Sequence, residues 1–371
     1  MEEIKNLNFP ILSVEKTVNM LTNAYCAIVE RKKSPAILPS VMLWGPPGVG
    51  KSQAIRQVAK DIEKKTGKKV HITDVRLLLF NPIDLRGIPT ANADKTLAIW
   101  LKPQIFQMDD SSDVVNILFL DEISAAPQSV QAAAYQITLD RVVGEHRLPD
   151  NCFVIAAGNR VTDKSVSFKM PKALANRLLH IEVEGSFHSW QNWAIKTGVN
   201  SKVVGFLSSR PDRLFGFDAS NDDLAFATPR SWEMVSNILN NVDDDIDRVF
   251  SMISGLVGSG VAIELRSWCN VYSELPNVEE IFAGKVNNVP RRSDLLYALV
   301  SSMTAYAREN KNDIVAIGNS IRYASNLPTD FAALLISNYS LFGDGYEAFL
   351  HGLPEYIAFA RKKGAYNNGS V

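Results

Sequence analysis

The sequence has few of the residues that crosslink a fold or hold a transition metal. Its 371 residues include three cysteines, Cys26, Cys152 and Cys269, which stand far apart and form no C-x-x-C pair. The five histidines show neither the H-E-x-x-H pattern nor another paired ligand spacing. We therefore expect reduced thiols in a cytoplasmic protein, and no structural transition-metal site.

The sequence also lacks a charge excess and a long apolar run. Lysine and arginine number 39, aspartate and glutamate number 40, and the formal net charge is −1. This balance gives no global attraction to nucleic acid or to an anionic membrane. No apolar stretch approaches the roughly 20 residues that span a bilayer, and residues 1–5 lack the basic start of a secretory signal. We predict a cytoplasmic location without membrane insertion, and nucleic acid is not an expected partner.

What the sequence does contain is a glycine-rich loop between a predicted strand and a predicted helix. Residues 45–52 follow the apolar run Val41–Trp44 and match the pattern G-x-x-x-x-G-K-[ST]. Such a loop aims backbone N–H groups at phosphate oxygens, while Lys51 supplies a cation and Ser52 a hydroxyl for Mg²⁺. The pattern predicts binding of a nucleoside triphosphate. We assign nucleotide binding to Gly45, Pro46, Pro47, Gly48, Val49, Gly50, Lys51, Ser52 and Gln53.

Two acidic residues end another buried strand. Residues 117–120 are apolar and lead directly into Asp121 and Glu122. A carboxylate at a strand end can hold Mg²⁺ through its hydration shell, and its neighbour can take a proton from a water aimed at the γ-phosphate. We assign Asp121, together with Ser52, to the metal and the nucleotide. Glu122 is the predicted catalytic base.

Three polar residues further along the chain complete the predicted catalytic set. Asn159 follows the apolar run 152–157 and can hydrogen-bond the attacking water or the γ-phosphate, although Gly-Asn is also a common turn dipeptide. Arg177 lies where a short helix meets a strand, and Arg230 lies at the start of a later helix. Their guanidinium groups can stabilise charge developing on a γ-phosphate, Arg177 that of a neighbouring subunit. A lone arginine near a helix end is usually a surface residue, so only the order of the motifs favours these roles.

The order of the apolar segments predicts the fold class. Helical spacing covers residues 11–33. Apolar strands follow at residues 41–44, 70–75, 117–120, 152–157 and 179–183. This alternation predicts an α/β fold with a mostly parallel sheet, helices on both faces and ligands at the carboxyl ends of the strands. After about residue 205 only helix-like spacing remains. We predict an N-terminal helical segment at 1–35, an αβα nucleotide-binding core at 36–207, a helical lid at 208–270 and a C-terminal helical extension at 271–371.

Taken in order, these motifs resemble those of the AAA+ ATPases, and within them the MoxR-like group, over roughly residues 10–265. The resemblance implies a P-loop AAA+ core that binds ATP and Mg²⁺. It implies Walker A at Lys51 and Ser52, Walker B at Asp121 and Glu122, sensor 1 at Asn159, an arginine finger at Arg177 and sensor 2 at Arg230. Members of the group usually form hexameric rings and act as ATP-driven chaperones. Their partner is often a protein with a von Willebrand factor A domain.

Two segments depart from the pattern of the group. Its usual finger context is Leu-Asp-Arg-Phe, whereas residues 174–178 read Leu-Ala-Asn-Arg-Leu. Residues 271–371 match no segment to which we can assign a role.

The resemblance also implies an insertion that projects from the ring, between the second strand and the Walker B strand. We hypothesise that residues 84–100 contact a partner, with Ile88 and Trp100 as anchors, because an apolar stretch punctuated by Gly and Pro suits a mobile contact loop. The alternative is that Trp100 simply belongs to the core.

Two other functions remain open from the sequence. One is a nucleic-acid motor or loader, against which we weigh the near-zero net charge and the lack of a zinc-finger, winged-helix or basic-aromatic pattern. The other is a nucleotide-gated scaffold with little turnover. Glu122, Asn159 and Arg177 argue against it, because a scaffold has no need of a carboxylate that activates water.

Overall fold

The computed structural model describes residues 9–160, 170, 172–216 and 223–364. The chain forms two compact units, Met1–Ser186 with Asp218–Asp222 and Phe187–Phe217 with Asp223–Val371. The continuous part of the first unit ends at Ser186, before residue 207, which is the predicted end of the nucleotide-binding core. The division into four parts remains a prediction, and residues 1–8 of its first segment lie outside the described residues.

The first unit is built around a parallel sheet. Its strands are β1 (Ile11–Ser13), β2 (Val41–Trp44), β3 (Lys69–Arg76), β4 (Ile88–Ala91), β5 (Ala98–Leu101), β6 (Val114–Asp121), β7 (Val142–Val143), β8 (His146–Arg147), β9 (Cys152–Gly158) and β10 (Leu179–Glu184). Its α-helices are α1 (Val14–Glu30), α2 (Lys51–Thr66), α3 (Pro82–Arg86), α4 (Gln128–Asp140) and α5 (Lys172–Ala175). Six strands pair, all in parallel, in the order β1-β10-β2-β9-β6-β3. The predicted α/β fold class is confirmed, and each predicted strand lies in this sheet.

The central strands are apolar at nearly every position because helices cover both faces of the sheet. In β6, Ile117 and Phe119 pack on the face covered by α1 and α2. Leu118 and Leu120 pack on the opposite face, against α4 and α3. The first unit is thus a three-layered αβα arrangement. Because β2, β9 and β6 pair in parallel, their carboxyl ends lie together at one edge of the sheet.

The start of this unit corrects one sequence prediction. Residues 11–33 were expected to form one helix, but Ile11–Ser13 pairs in parallel with residues 182–184 of β10. Helix α1 begins only after Ser13, whose Oγ accepts a hydrogen bond from Lys16 N at 3.3 Å, and it ends at Glu30. The prediction was wrong at residues 11–13 because helical spacing carries no information about pairing with a distant strand.

Two short hairpins were not predicted. Strands β4 and β5 pair with each other, as do β7 and β8, in both cases antiparallel. Strands of four and two residues are too short for a clear alternation of apolar and polar side chains. Gly87 begins the first hairpin with φ 92°, and a Cβ atom there would lie 1.9 Å from Leu101 O. The approach of these two backbones therefore requires glycine.

The regular secondary structure of the second unit, within its described residues, is all helical. Its α-helices are α6 (Phe187–Thr197), α7 (Ser201–Ser209), α8 (Pro229–Asn241), α9 (Ile246–Val257), α10 (Ser259–Cys269), α11 (Val278–Phe282), α12 (Ser293–Glu309), α13 (Ile314–Ala324), α14 (Thr329–Ser340), α15 (Tyr346–His351) and α16 (Pro354–Lys362). Two apolar clusters hold them together, one around Trp232 and one around Tyr339. Across the part of the chain that the structure describes, no helix combines the length and apolar character needed to cross a membrane.

Candidate nucleotide-binding site

The glycine-rich loop leaves β2 and enters α2 at the edge where the central strands end. Gly45, Gly48 and Gly50 have φ values of 155°, 76° and 111°, which side chains rarely allow. A Cβ atom on Gly45 would lie 2.5 Å from the carbonyl oxygen of Val183, so the loop also needs glycine for space. Gly50 precedes α2 and offers no side-chain cap to its first turn. The backbone N–H groups of that turn are therefore suited to bind an anion.

Lys51 is buried beneath this loop, with 8% of its surface exposed. Its Nζ donates to Gly45 O at 2.6 Å, Pro46 O at 3.1 Å and Asn159 Oδ1 at 3.2 Å. A buried ammonium needs such acceptors because it has lost its hydration. The Lys51 side chain thus joins the loop after β2 to the residue that follows β9.

Ser52 and Asp121 meet at the same edge. Ser52 Oγ donates to Asp121 Oδ2 at 2.9 Å, which joins the start of α2 to the end of β6. A hydroxyl and a carboxylate in contact are oxygen ligands of the kind Mg²⁺ takes when it also binds phosphate and water. Ser52 and Asp121 therefore fit the predicted Mg²⁺ and would hold it.

Asp74 is a second carboxylate near Asp121 that the sequence analysis missed. It lies on β3, the strand beside β6, and Arg56 NH2 lies 4.0 Å from its Oδ2. Partial burial raises the pKa of the Asp74 carboxyl above its usual value, and the charge of Asp121 raises it further. In the parallel pairing of β3 with β6, Arg76 is in register with Asp121, and Asp74 lies two residues before Arg76. A prediction of this pairing from the sequence would have indicated that Asp74 lies near Asp121.

Glu122 occupies an unusual backbone conformation. Its φ is 59°, a value that few residues other than glycine adopt, and such residues concentrate at functional sites. Its N–H donates to Asp121 Oδ1 at 2.9 Å, and the next residue, Ile123, donates its N–H to Ala157 O at 2.9 Å. We call residues 121–126 the acid turn. Its backbone is fixed to β9, so the position of the Glu122 carboxylate depends on that neighbouring strand.

Ser124 adds a second link between the acid turn and β9, and it was also missed. Its buried Oγ accepts a hydrogen bond from Asn159 N at 2.9 Å. A Cβ atom on Gly158 would lie 2.9 Å from the same oxygen. Gln131 of α4 donates from Nε2 to Ser124 O at 3.3 Å and to Ala126 O at 2.9 Å. The predicted base and the predicted sensor are therefore held by one hydrogen-bonded network.

The two predicted arginines lie in different units. Arg177 is exposed in the turn between α5 and β10 of the first unit. Arg230 is the second residue of α8 in the second unit, and it is also exposed. Thr228 and Ser231 fix the start of α8 through a reciprocal pair of hydrogen bonds, at 3.0 Å from Ser231 N and 2.7 Å from Thr228 N. The structure brings Lys51, Ser52, Asp121 and Asn159 together, whereas the roles of both arginines remain predictions.

Comparison with protein families matches residues 40–180 to the model of the ATPase family associated with various cellular activities (AAA). The matched range contains the loop, the acid turn, Asn159 and Arg177. The matched range covers less than half of the chain. A comparison with curated proteins gave no match.

The solved structures to which the chain is similar, all at low sequence identity, include the following three. For the P216G mutant of Thermotoga maritima RuvB, identity is 15%, 79% of this chain and 83% of that chain are covered, and the TM-score is 0.36. For C. elegans PCH-2, identity is 13%, 81% of this chain and 69% of that chain are covered, and the TM-score is 0.34. For domain III of the Thermotoga maritima replication initiation protein DnaA, identity is 12%, 67% of this chain and 90% of that chain are covered, and the TM-score is 0.35. At these TM-scores we base no argument on the similarity.

Proposed function

We propose that this protein is a ring-forming AAA+ ATPase of the MoxR-like group, which uses ATP hydrolysis to remodel a partner protein. The observation that carries the proposal is the meeting of Lys51, Ser52, Asp121 and Asn159 where β2, β6 and β9 end. A buried ammonium and a strained acidic turn cost folding free energy. Their coincidence at a phosphate-binding loop is explained if they act on a nucleotide.

In the proposed reaction, the first task of the site is to hold the triphosphate. The N–H groups of the loop and Lys51 Nζ bind the β- and γ-phosphates, the latter by exchanging loop carbonyls for phosphate oxygens. Ser52 and Asp121 would hold Mg²⁺, which when bound would neutralise charge on the phosphates. These contacts fix the γ-phosphate at the edge of the sheet, in front of the acid turn.

The second task is to activate water. Glu122 accepts the proton of a water molecule as its oxygen attacks the γ-phosphorus, and the bond from phosphorus to the β,γ-bridging oxygen breaks to leave ADP. The Asn159 side chain orients this water or the γ-phosphate by a hydrogen bond. The network through Ser124 holds the backbones of Glu122 and Asn159 at a fixed separation, so that both side chains can act on the same water.

Two arginines complete the proposed mechanism. Arg177 is exposed, which suits a finger that enters the site of the next subunit in a homo-oligomeric, hexameric ring. Arg230, at the start of α8, would sense the γ-phosphate and link it to movement of the helical lid. ATP hydrolysis would then depend on assembly, since each site would be finished by its neighbour.

The proposed partner contact is the exposed face of the β4–β5 hairpin. The register places Ile88 opposite Leu101 and Thr90 opposite Ile99, so these side chains share one face. Ile88 is 60% exposed, Leu101 55% and Ile99 42%. Three large apolar side chains on one exposed face favour binding of a protein with an apolar surface, such as the proposed von Willebrand factor A domain partner.

Trp100 lies on the opposite face of the hairpin and behaves differently. It is half-buried, and its carbonyl accepts a hydrogen bond from His146 Nε2 at 2.8 Å. Pro89, opposite Trp100, has no N–H to offer at the edge of β4. These features favour docking on the face of the hairpin rather than at its edge. We therefore propose Ile88, Ile99 and Leu101 as anchors and replace Trp100 in that role.

A groove of about 460 Å³ borders this face. Its apolar lining includes Leu79, Ile83 and Ile105 together with Ile88 and Leu101. A groove of this size accepts a few side chains of a partner.

The proposed function is tested by Mg-ATP hydrolysis per subunit as a function of protein concentration, for the wild type and for Arg177→Ala. We expect specific activity to rise with concentration as rings form, and to fall about 1,000-fold or more in the variant. A flat rate that does not depend on Arg177 would mean that each subunit works alone. Absence of hydrolysis in the wild type, alone and with its partner, would favour the scaffold, and salt-sensitive binding of DNA or RNA would favour the nucleic-acid motor.

A further inference from the structure

One imidazole joins the strand that leads into the nucleotide loop to the segment that carries Arg177. Trp44 Nε1 donates to His180 Nδ1 at 2.9 Å, and His180 Nε2 lies 2.7 Å from Ala175 O. Trp44 is the last residue of β2, directly before Gly45. Ala175 is the last residue of α5, two positions before Arg177. His180 itself lies in β10, so the link does not depend on residues outside the first unit.

The partners of this imidazole determine which nitrogen carries the proton. An indole N–H can only donate and a carbonyl oxygen can only accept. Nδ1 must therefore be the acceptor for Trp44, and Nε2–H must donate to Ala175 O. The two contacts therefore select the tautomer with its hydrogen on Nε2. The Trp44 and His180 rings lie within 14° of parallel with their centroids 6.0 Å apart, which is consistent with an in-plane hydrogen bond between them. The Phe9 ring centroid lies 5.6 Å from that of His180, and this packing limits rotation of the imidazole.

Helix α5 needs this support because it has only four residues. A helix that short is not stable alone, and its last carbonyls lack partners within the helix. Ala175 O accepts from Leu178 N at 3.2 Å and from His180 Nε2. The first contact closes the turn on itself, whereas the second ties it to the sheet. The exposed turn that contains Arg177 is therefore held on the β2 strand end by His180.

We propose that His180 is a positioning residue for Arg177, which it fixes relative to the strand that carries the nucleotide loop of the same subunit. This inference rests on the proposed trans action of Arg177. It adds a route by which the loop of one subunit can affect hydrolysis in the next, since displacement of Trp44 would release the turn that holds the finger.

The test uses mixtures of two variants, so that the subunit that supplies Arg177 is not the subunit that binds ATP. We call the supply of Arg177 to the neighbouring site donation. Subunits with Lys51→Ala are expected to bind ATP about 100-fold more weakly but carry Arg177, and subunits with Arg177→Ala are expected to bind ATP but lack the finger. Each alone is expected to be inactive, and a mixture is expected to hydrolyse ATP. A second substitution is then placed in the Lys51→Ala donor, whose own site is already disabled. Any loss of hydrolysis in the mixture therefore reports on the finger.

We expect the donor with Lys51→Ala and His180→Ala to support about 10-fold less hydrolysis than the Lys51→Ala donor, because two hydrogen bonds are lost. His180→Gln in the same donor should restore hydrolysis to within about 2-fold, since an amide supplies one acceptor and one donor. The matched control is His146→Ala, which removes another ring-to-carbonyl hydrogen bond of this unit. It should leave donation unchanged.

Trp44→Phe gives a second test that does not depend on folding of the His180→Ala variant. It keeps a six-membered aromatic ring and removes the indole N–H together with the five-membered ring that carries it, and we expect donation to fall about 3-fold. Equal donation with and without the His180→Ala substitution would overturn the inference while leaving the proposed function intact. An inactive mixture of the two parent variants, with an active wild type, would overturn it together with the trans finger. An inactive wild type would overturn the proposed function itself.

Discussion

The nucleotide-binding edge of the sheet and the β4–β5 hairpin place side chains in opposite ways. At the edge, the Lys51 ammonium is buried and surrounded by acceptors. On the hairpin, Ile88 and Leu101 expose more than half of their surfaces. Neither arrangement is what folding stability alone favours. The comparison is explained if the first region binds phosphate charge and the second binds the apolar surface of a partner, as we propose.

The largest effect in this comparison is expected from Lys51→Ala. Loss of a charge-assisted contact to phosphate should weaken ATP binding about 100-fold. Lys60→Ala on the exposed side of the same helix is the control and should leave affinity unchanged. Isothermal titration with a non-hydrolysable ATP analogue measures both. Equal affinity in the two variants would show that Lys51 is a structural residue.

Ser124→Ala should have the next largest effect. The loss of the acceptor for Asn159 N should lower kcat about 10-fold, with ATP affinity within about 2-fold, because only the geometry of the water-activating groups changes. Ser40 is the matched control, since its buried hydroxyl donates to Thr138 O at 2.6 Å far from the acid turn. If Ser40→Ala lowers kcat as much, the effect of Ser124 is one of general stability.

Substitutions on the exposed face of the β4–β5 hairpin should affect partner binding rather than nucleotide binding or stability. Ile88→Ser with Ile99→Ser should change the free energy of unfolding by less than about 1 kcal/mol and leave basal hydrolysis intact. Leu85→Ala, at a position only 1% exposed next to this hairpin, should cost about 2–5 kcal/mol. Thermal and urea unfolding distinguish the two. Once a partner is identified, the double variant should lose stimulation by it, and retained stimulation would contradict the proposed docking face.

The smallest expected effect is that of Asp74→Asn. Because the pKa of Asp74 is raised in the folded protein, its ionised form destabilises the fold, and this cost appears as pH rises past the unfolded-state pKa. The variant should therefore be slightly more stable than the wild type at neutral pH. The gain should vanish at acidic pH, where the carboxyl is protonated in both states. Melting temperatures at neutral and acidic pH test this, and a gain that grows on acidification would contradict the assigned environment.

Local sequence was sufficient to predict the loop and the acid pair. Their residues are contiguous, and a strand before each motif fixes where it lies. The same reasoning missed Ser124, Asp74 and His180, because their partners come from neighbouring strands and the order of strands is not written in any one segment. It also extended α1 over Ile11–Ser13, a strand that exists only through pairing with β10.

The roles predicted for the two exposed arginines depend on contacts beyond the first unit. Arg177 and Arg230 were predicted from the order of the motifs, and their predicted roles require a neighbouring subunit or the second unit. Within the first unit, the turn that contains Arg177 is tied to β2 through Ala175 and His180. The test of His180 therefore uses mixed assemblies, in which one subunit donates Arg177 to the site of another.

The most direct test of the central claim is to measure ATP binding and Mg-ATP turnover together for Glu122→Gln and the wild type. The amide keeps the shape of the side chain and cannot accept the proton of the attacking water. We predict ATP affinity within about 2-fold of the wild type and turnover at least about 100-fold lower. Turnover at the wild-type rate, with binding intact, would contradict the assignment of Glu122 as the base and with it the proposed chemistry of the acid turn.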